Sequence, residues 1–127
     1  MAVSSRLSVG ALSAVLAAAG VLHFVKPAPY RRIVPVPLRA YDSHIVALSG
    51  VCEIACAVLM TAPPTRRLGA GAAAALFVAV FPANVQMALD GGYDEAPFPL
   101  NSRVLAWLRL PLQIPLILWA LGIRGDA

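Results

Sequence analysis

A run of nineteen residues from His44 to Ala62, HIVALSGVCEIACAVLMTA, is long enough to cross a bilayer and carries one carboxylate, Glu53, at its midpoint. At about 1.5 Å per residue such a helix spans roughly 30 Å, the thickness of the hydrocarbon core. An ionised side chain at its centre costs on the order of 3 kcal/mol even on permissive insertion scales. Glu53 therefore has to be neutralised, paired or wetted, and any partner has to come from another segment.

Three further runs accompany it. The 127 residues are 60% hydrophobic and 13% charged, with a mean hydropathy of +0.78, where a soluble domain would carry about 25% charged residues. The deficit is concentrated in four apolar runs, about 7–25, 44–62, 68–88 and 103–123. They predict an all-α fold, an antiparallel four-helix transmembrane bundle in which one domain uses the whole of residues 1–127. The formal net charge of +4 is no argument for nucleic acid, because the Lys and Arg residues sit mainly at the ends of apolar runs, where headgroups accommodate them. The bilayer is the first partner. A cleavable signal peptide is the rival reading of the first run, since Arg6, the apolar stretch and Ala17-Ala18-Ala19 imitate its three regions.

The connectors differ in character. Lys26 to Asp42, KPAPYRRIVPVPLRAYD, holds Pro27, Pro29, Pro35 and Pro37, which argue against a regular helix. Tyr30 and Tyr41 suit the membrane interface, and Lys26, Arg31, Arg32 and Arg39 either anchor it to headgroups or roof the bundle. The short turn Pro63 to Arg67 makes the second and third runs antiparallel neighbours. Pro82, near the far end of the third run, would free the carbonyl of Val78 for a buried neighbour. The connector from Leu89 to Ser102 is acidic and polar, with Asp90, Asp94 and Glu95, and reads as loop. In the fourth run Arg109 and Gln113 stand one turn apart on one face, while Pro111 and Pro115 interrupt the same turns.

Alternating crossings order the polar residues along the bundle. His23 lies near the end of the first run that meets the basic connector, Asn84 and Gln86 near the matching end of the third, and Arg109 about two turns into the fourth. Glu53 is roughly 6 Å deeper than Arg109 by helix rise, within reach of an Arg side chain. The leading expectation is an interhelical Glu53–Arg109 pair, with His23, Asn84 and Gln113 completing the hydrogen bonds and Lys26 contributed by the roof. Such a pair either builds a ligand or catalytic site or only fixes helix register and rotation. An electropositive pocket under an aromatic rim would suit a quinone headgroup or a small anion. Cys52 and Cys56, four apart on one helix, do not favour a disulfide and read as small apolar residues. His23, His44 and the cysteines form no recognised metal-ligand spacing. Trp107, Trp119 and Met87 read as packing or belt residues.

The motifs Gly20-Val-Leu-His-Phe24, Lys26-Pro27, Ile33-Val-Pro35, Ser49-Gly-Val-Cys-Glu-Ile54, Phe81-Pro-Ala-Asn84 and Arg109-Leu-Pro-Leu-Gln113 resemble the DoxX-like small membrane proteins over roughly residues 10 to 120. Cys52 stands where that pattern usually has alanine or another small residue. The resemblance implies a four-helix integral membrane protein, in a bacterial cytoplasmic membrane, with both termini cytoplasmic. Relatives in that family include subunits of thiosulfate:quinone oxidoreductase, components of oxidative-stress membrane complexes, and distant members that assist receptor assembly; no agreed catalytic set maps onto these positions. Charge counting leaves orientation tied, with Arg6, Arg66, Arg67 and Arg124 on one side against Lys26, Arg31, Arg32, Arg39 and Arg103 on the other. The expected function is a small subunit of a membrane redox system that holds a quinone or related ligand near Glu53 and Arg109, with His23 as a proton relay. The alternative is a non-catalytic assembly or scaffolding subunit whose polar pair is structural and whose outer face binds membrane partners.

Overall fold

The computed structural model describes residues 6–90 and 103–127. The described residues form α1 (Arg6–Val25), α2 (Pro27–Arg32), a 3₁₀ turn (Val36–Tyr41), α3 (Asp42–Thr61), a second 3₁₀ turn (Pro63–Thr65), α4 (Arg66–Ala79), α5 (Phe81–Leu89) and α6 (Arg103–Asp126). Four stretches, Arg6–Val25, Val36–Thr61, Pro63–Leu89 and Arg103–Asp126, are long and apolar enough to cross a membrane. The protein is thus all-α, with four long apolar helical stretches arranged as a transmembrane bundle. The acidic loop expected through Asp94 and Glu95 lies outside the described residues.

Large apolar side chains point outward on every span, among them Val15, Val51, Val58, Leu68, Val78, Leu108, Ile114 and Leu118. In lipid these carry no penalty, and helix association has to come from close packing and interhelical hydrogen bonds. Small residues provide the packing. α4 turns Ala70, Ala73 and Ala74 inward, and the main core joins them to Val9, Leu12 and Leu16 of α1, Cys56, Ala57 and Met60 of α3, and Ala120 and Ile123 of α6. This core occupies the end of the bundle where α1 and α4 begin and α3 and α6 finish. At the α3–α4 hairpin Gly69 lies so close that a Cβ there would sit 2.7 Å from the Met60 nitrogen. Arg66 closes the hairpin by donating from Nε to the Met60 carbonyl at 2.8 Å and from Nη2 to the Thr61 carbonyl at 3.2 Å, which satisfies carbonyls left open at the α3 C-terminus. The opposite end has a smaller cluster of Met87, Ala88 and Ala106, with Ile33 and Leu110 against it.

Proline departs from the sequence expectation in the basic connector and in α6, whereas the disruption expected at Pro82 is present. The basic connector contains a helix after all, because Pro27 opens α2 and Pro29 stays in its first turn, where a backbone N–H has no intrahelical acceptor to lose. The third span is two helices broken at Val80, whose amide donates to the Leu76 carbonyl at 2.9 Å, and Pro82 then falls in the first turn of α5. In α6, by contrast, Pro111 and Pro115 sit inside a continuous helix. Each withdraws one backbone donor, from the carbonyls of Trp107 and Pro111 respectively, without ending the helix.

Candidate functional site

Among the described residues, Ser13, His23, Glu53, Asn84 and Gln113 are polar and buried. The contacts they make fall into two groups, one between α1 and α3 and the other among α4, α5 and α6.

The first group lies where α1 crosses α3. Gly20 and Gly50 make the crossing close: a Cβ on Gly20 would sit 2.7 Å from Ile54 Cγ1, 2.8 Å from the Gly50 carbonyl oxygen and 3.3 Å from Glu53 Cβ. A Cβ on Gly50 would sit 2.8 Å from Phe24 Cε2, 2.9 Å from His23 Cβ and 3.1 Å from the Gly20 carbonyl oxygen. Each glycine therefore clears the notch into which the other helix sends its titratable side chain, Glu53 over Gly20 and His23 over Gly50. His23 Nδ1 is 2.6 Å from the Ala19 carbonyl oxygen and 3.3 Å from Glu53 Oε2. A carbonyl only accepts, so Nδ1 carries the proton and donates mainly to Ala19, and the carboxylate takes a longer electrostatic contact. Glu53 Oε2 makes no hydrogen bond, nor do the buried Ser49 Oγ and Asn84 Nδ2. Tyr30 of α2 closes this group from the connector side by stacking on His23, with ring centroids 3.9 Å apart and planes 20° apart. Its half-buried phenol is pushed above the ordinary tyrosine value of 10.0, by burial first and by the Glu53 charge second.

The second group belongs to α4, α5 and α6. The break at Val80 leaves the Phe77 carbonyl without a backbone donor, and Gln113 Nε2 fills it at 2.6 Å. The carbonyl that a neighbouring side chain satisfies is that of Phe77, one residue before Val78, whose own helical donor is withdrawn by Pro82. With its amide fixed in this way, Gln113 turns Oε1 to Arg109, whose Nη1 donates at 2.6 Å. Arg109 is half-buried.

The expected Glu53–Arg109 pair is not formed. Glu53 faces α1 and has His23 as its titratable neighbour, whereas Arg109 faces Gln113. Depth along the bundle was compatible with either pairing, and the glycine notches decide it by bringing α3 onto α1. Lys26 is exposed at the junction of α1 and α2 and takes no part in either group. Of the basic connector it is Tyr30, and not the bases, that closes the group around Glu53. Arg31, Arg32 and Arg39 line a separate shallow depression of about 480 Å³ together with Ala28, Asp42 and Asp90. Arg39 braces the connector by donating to the Arg32 and Val34 carbonyls at 3.2 Å. Asn84 is buried on α5, and Cys52 and Cys56 are free thiols on α3. Three contributors were not singled out beforehand: Gly20, Gly50 and the ring of Tyr30. The repeated spacing Gly20-x-x-His23 and Gly50-x-x-Glu53 is the signal that marks the first two.

The fold and these interior pairs define a multi-pass helical membrane protein with polar side chains linking its helices. Residues 12–124 match the family described as Domain of unknown function (DUF8561), and the chain belongs to that family. No curated protein and no solved structure matches it.

Proposed function

We propose that the protein is a non-catalytic assembly subunit of a membrane complex, in which the His23–Glu53 pair fixes the crossing of α1 and α3. The observation that carries this reading is the mutual fit of that pair: each side chain occupies a notch made by a glycine of the other helix, the imidazole is tied to the Ala19 carbonyl, and Tyr30 covers it. Polar groups consumed in this way specify register and rotation. Two surface depressions among the described residues, one at the basic connector and one along α6, are lined by other residues. The resemblance to DoxX-like proteins, some of which are subunits of larger membrane assemblies, supports the same reading, and it is also the ground for placing both termini on the cytoplasmic side of a bacterial membrane.

The competing reading is a quinone-binding redox subunit. Glu53 Oε2 and Asn84 Nδ2, both buried without a hydrogen bond, are an acceptor and a donor of the kind a quinol or quinone headgroup engages. One experiment separates the two. Ubiquinone is titrated into the purified protein in nanodiscs, wild type beside Glu53→Gln, and the unfolding of both is followed. The assembly reading expects no saturable quinone binding and a Glu53→Gln variant less stable by about 1 kcal/mol, the scale of one interhelical polar contact. Saturable binding by wild type, lost in a Glu53→Gln variant of unchanged stability, would overturn it.

A further inference from the structure

Arg109 is the one intramembrane cation of the described spans that the two polar groups leave largely unused. Its neighbour Gln113 is held rigidly, because Nε2 is committed to the Phe77 carbonyl, and it draws Arg109 Nη1 to its own Oε1 at 2.6 Å. Counted from Arg103, Arg109 lies roughly 9 Å into α6 and Gln113 roughly 15 Å, the middle of a core roughly 30 Å thick. The guanidinium is thus tethered within the membrane by a residue one turn deeper and is not free to snorkel to the nearer headgroups. A guanidinium has five N–H donors, and one of them is engaged among the described residues.

The same side chain stands in an open groove of about 390 Å³ along α6, continued by Leu112, Pro115, Leu116 and Trp119. These positions descend α6 over roughly 15 Å. At the lower end Trp119 Nε1 donates to Ser8 Oγ at 2.7 Å, which ties α6 to α1 there. The groove is therefore an open apolar strip along α6 with a cation at its upper end, in a bilayer where an unpaired charge is costly.

We propose that this groove receives a transmembrane helix of another protein, and that an Asp or Glu of that helix pairs with Arg109. Three observations select this occupant. The inward-held guanidinium calls for an anion at membrane depth rather than a lipid phosphate at the surface. The chain's own Glu53 faces His23 on α1. Among the described residues a second copy has nothing suitable to offer, because Asp42, Asp90 and Asp126 stand at helix ends and Glu53 is buried. The inference rests on the assembly reading above and names the partner's chemistry.

The test uses the full chain in phosphatidylcholine vesicles at pH 8 and a dansyl-labelled transmembrane host peptide of Leu and Ala with a single Glu about two turns from one end. Matched peptides carry Gln or Leu in place of that Glu. Energy transfer from Trp107 and Trp119, both on α6, reports docking. The Glu peptide is expected to bind saturably and about tenfold tighter than the Gln peptide. Arg109→Gln should erase that preference and Arg109→Lys should keep part of it, while Leu116→Trp, which narrows the groove and leaves the charge in place, should weaken binding of every peptide. Equal binding of the Glu and Gln peptides by wild type would overturn the proposal. So would a preference that survives Arg109→Gln, or displacement of the Glu peptide from wild type alone by phosphatidylglycerol, which would make a lipid headgroup the occupant. None of these readings depends on quinone binding or on the stability of Glu53→Gln, so this proposal and the assembly reading can fail separately.

Discussion

Gly20→Ala tests whether the α1–α3 crossing is built around missing Cβ atoms. The new methyl would meet the Gly50 carbonyl oxygen at 2.8 Å, where ordinary van der Waals contact begins at 3.4 Å. Backbone cannot rotate aside, so the helices have to part by several tenths of an ångström, and the His23–Glu53 contact, now 3.3 Å, lengthens with them. Overpacking of this kind costs about 1–3 kcal/mol, against a gain of up to about 1 kcal/mol in helix propensity. The net expectation is a loss of about 1–2 kcal/mol. Gly50→Ala should cost a comparable amount: the edge of the half-exposed Phe24 ring can swing aside, but His23 Cβ at 2.9 Å and the Gly20 carbonyl oxygen at 3.1 Å cannot. Gly10→Ala is the internal control: a Cβ there meets nothing within 4 Å, so only the propensity gain remains and the variant should match or exceed wild type. Unfolding by dodecyl sulfate titration from mixed micelles, read by far-ultraviolet circular dichroism, gives all three values on one scale. If Gly20→Ala were as stable as Gly10→Ala, the notch argument would be refuted, and with it the account of why His23 faces Glu53.

Gln113→Leu removes both the donor to the Phe77 carbonyl and the acceptor for Arg109; it should lower stability in the same assay by about 1–3 kcal/mol, and a near-neutral result would mean that the break at Val80 does not need its polar cross-link. A double-mutant cycle of Glu53→Gln with Arg109→Gln should be additive within about 0.5 kcal/mol, because the two residues belong to different helix pairs, whereas coupling well above that value would restore the pairing that depth alone suggested. In a spectrophotometric tyrosine titration at 295 nm, Tyr30 should ionise later than an ordinary tyrosine, and Glu53→Gln should bring it partway back, since burial is the larger cause and the carboxylate the smaller. The sign for stability follows: a phenol whose folded value is raised contributes stability that is present below the unfolded value of 10.0 and lost as the pH rises through the folded one.

The spans were legible because an apolar run of about 19 residues has few other uses, and their ends agree with α1, α3, α4 to α5 and α6 to within a few residues. Burial of Glu53, His23, Asn84 and Gln113 was legible for the same reason, since a polar side chain on such a run has to be turned inward. What a single sequence holds poorly is the rotation of each helix. Rise per residue orders groups along the bundle but does not say which helix stands beside which, and Glu53 is at a depth compatible with both His23 and Arg109. Proline was misread for a related reason. Its effect depends on its place in the turn, harmless at Pro27 in a first turn, accompanied by a break of the span at Pro82, and tolerated at Pro111 and Pro115 inside α6, and the place is known only once the helix start is known.

Both polar groups follow one design, which explains why they do not merge into a single site. In each, a helix has a defect that a polar side chain of its neighbour completes. The glycine notches of α1 and α3 are filled by Glu53 and His23, and the carbonyl bared by the break at Val80 is filled by Gln113. Lipid supplies no hydrophobic drive between helices, so these fillings hold the connector end of the bundle, where the apolar cluster is small. Once the defects are filled, hydrogen-bonding capacity remains among the described residues on Ser13 Oγ, Ser49 Oγ, Glu53 Oε2, Asn84 Nδ2 and the other donors of Arg109. The first four are enclosed between helices. Arg109 alone of these lines an open groove, and that is why the outward-facing chemistry of this bundle is assigned to α6.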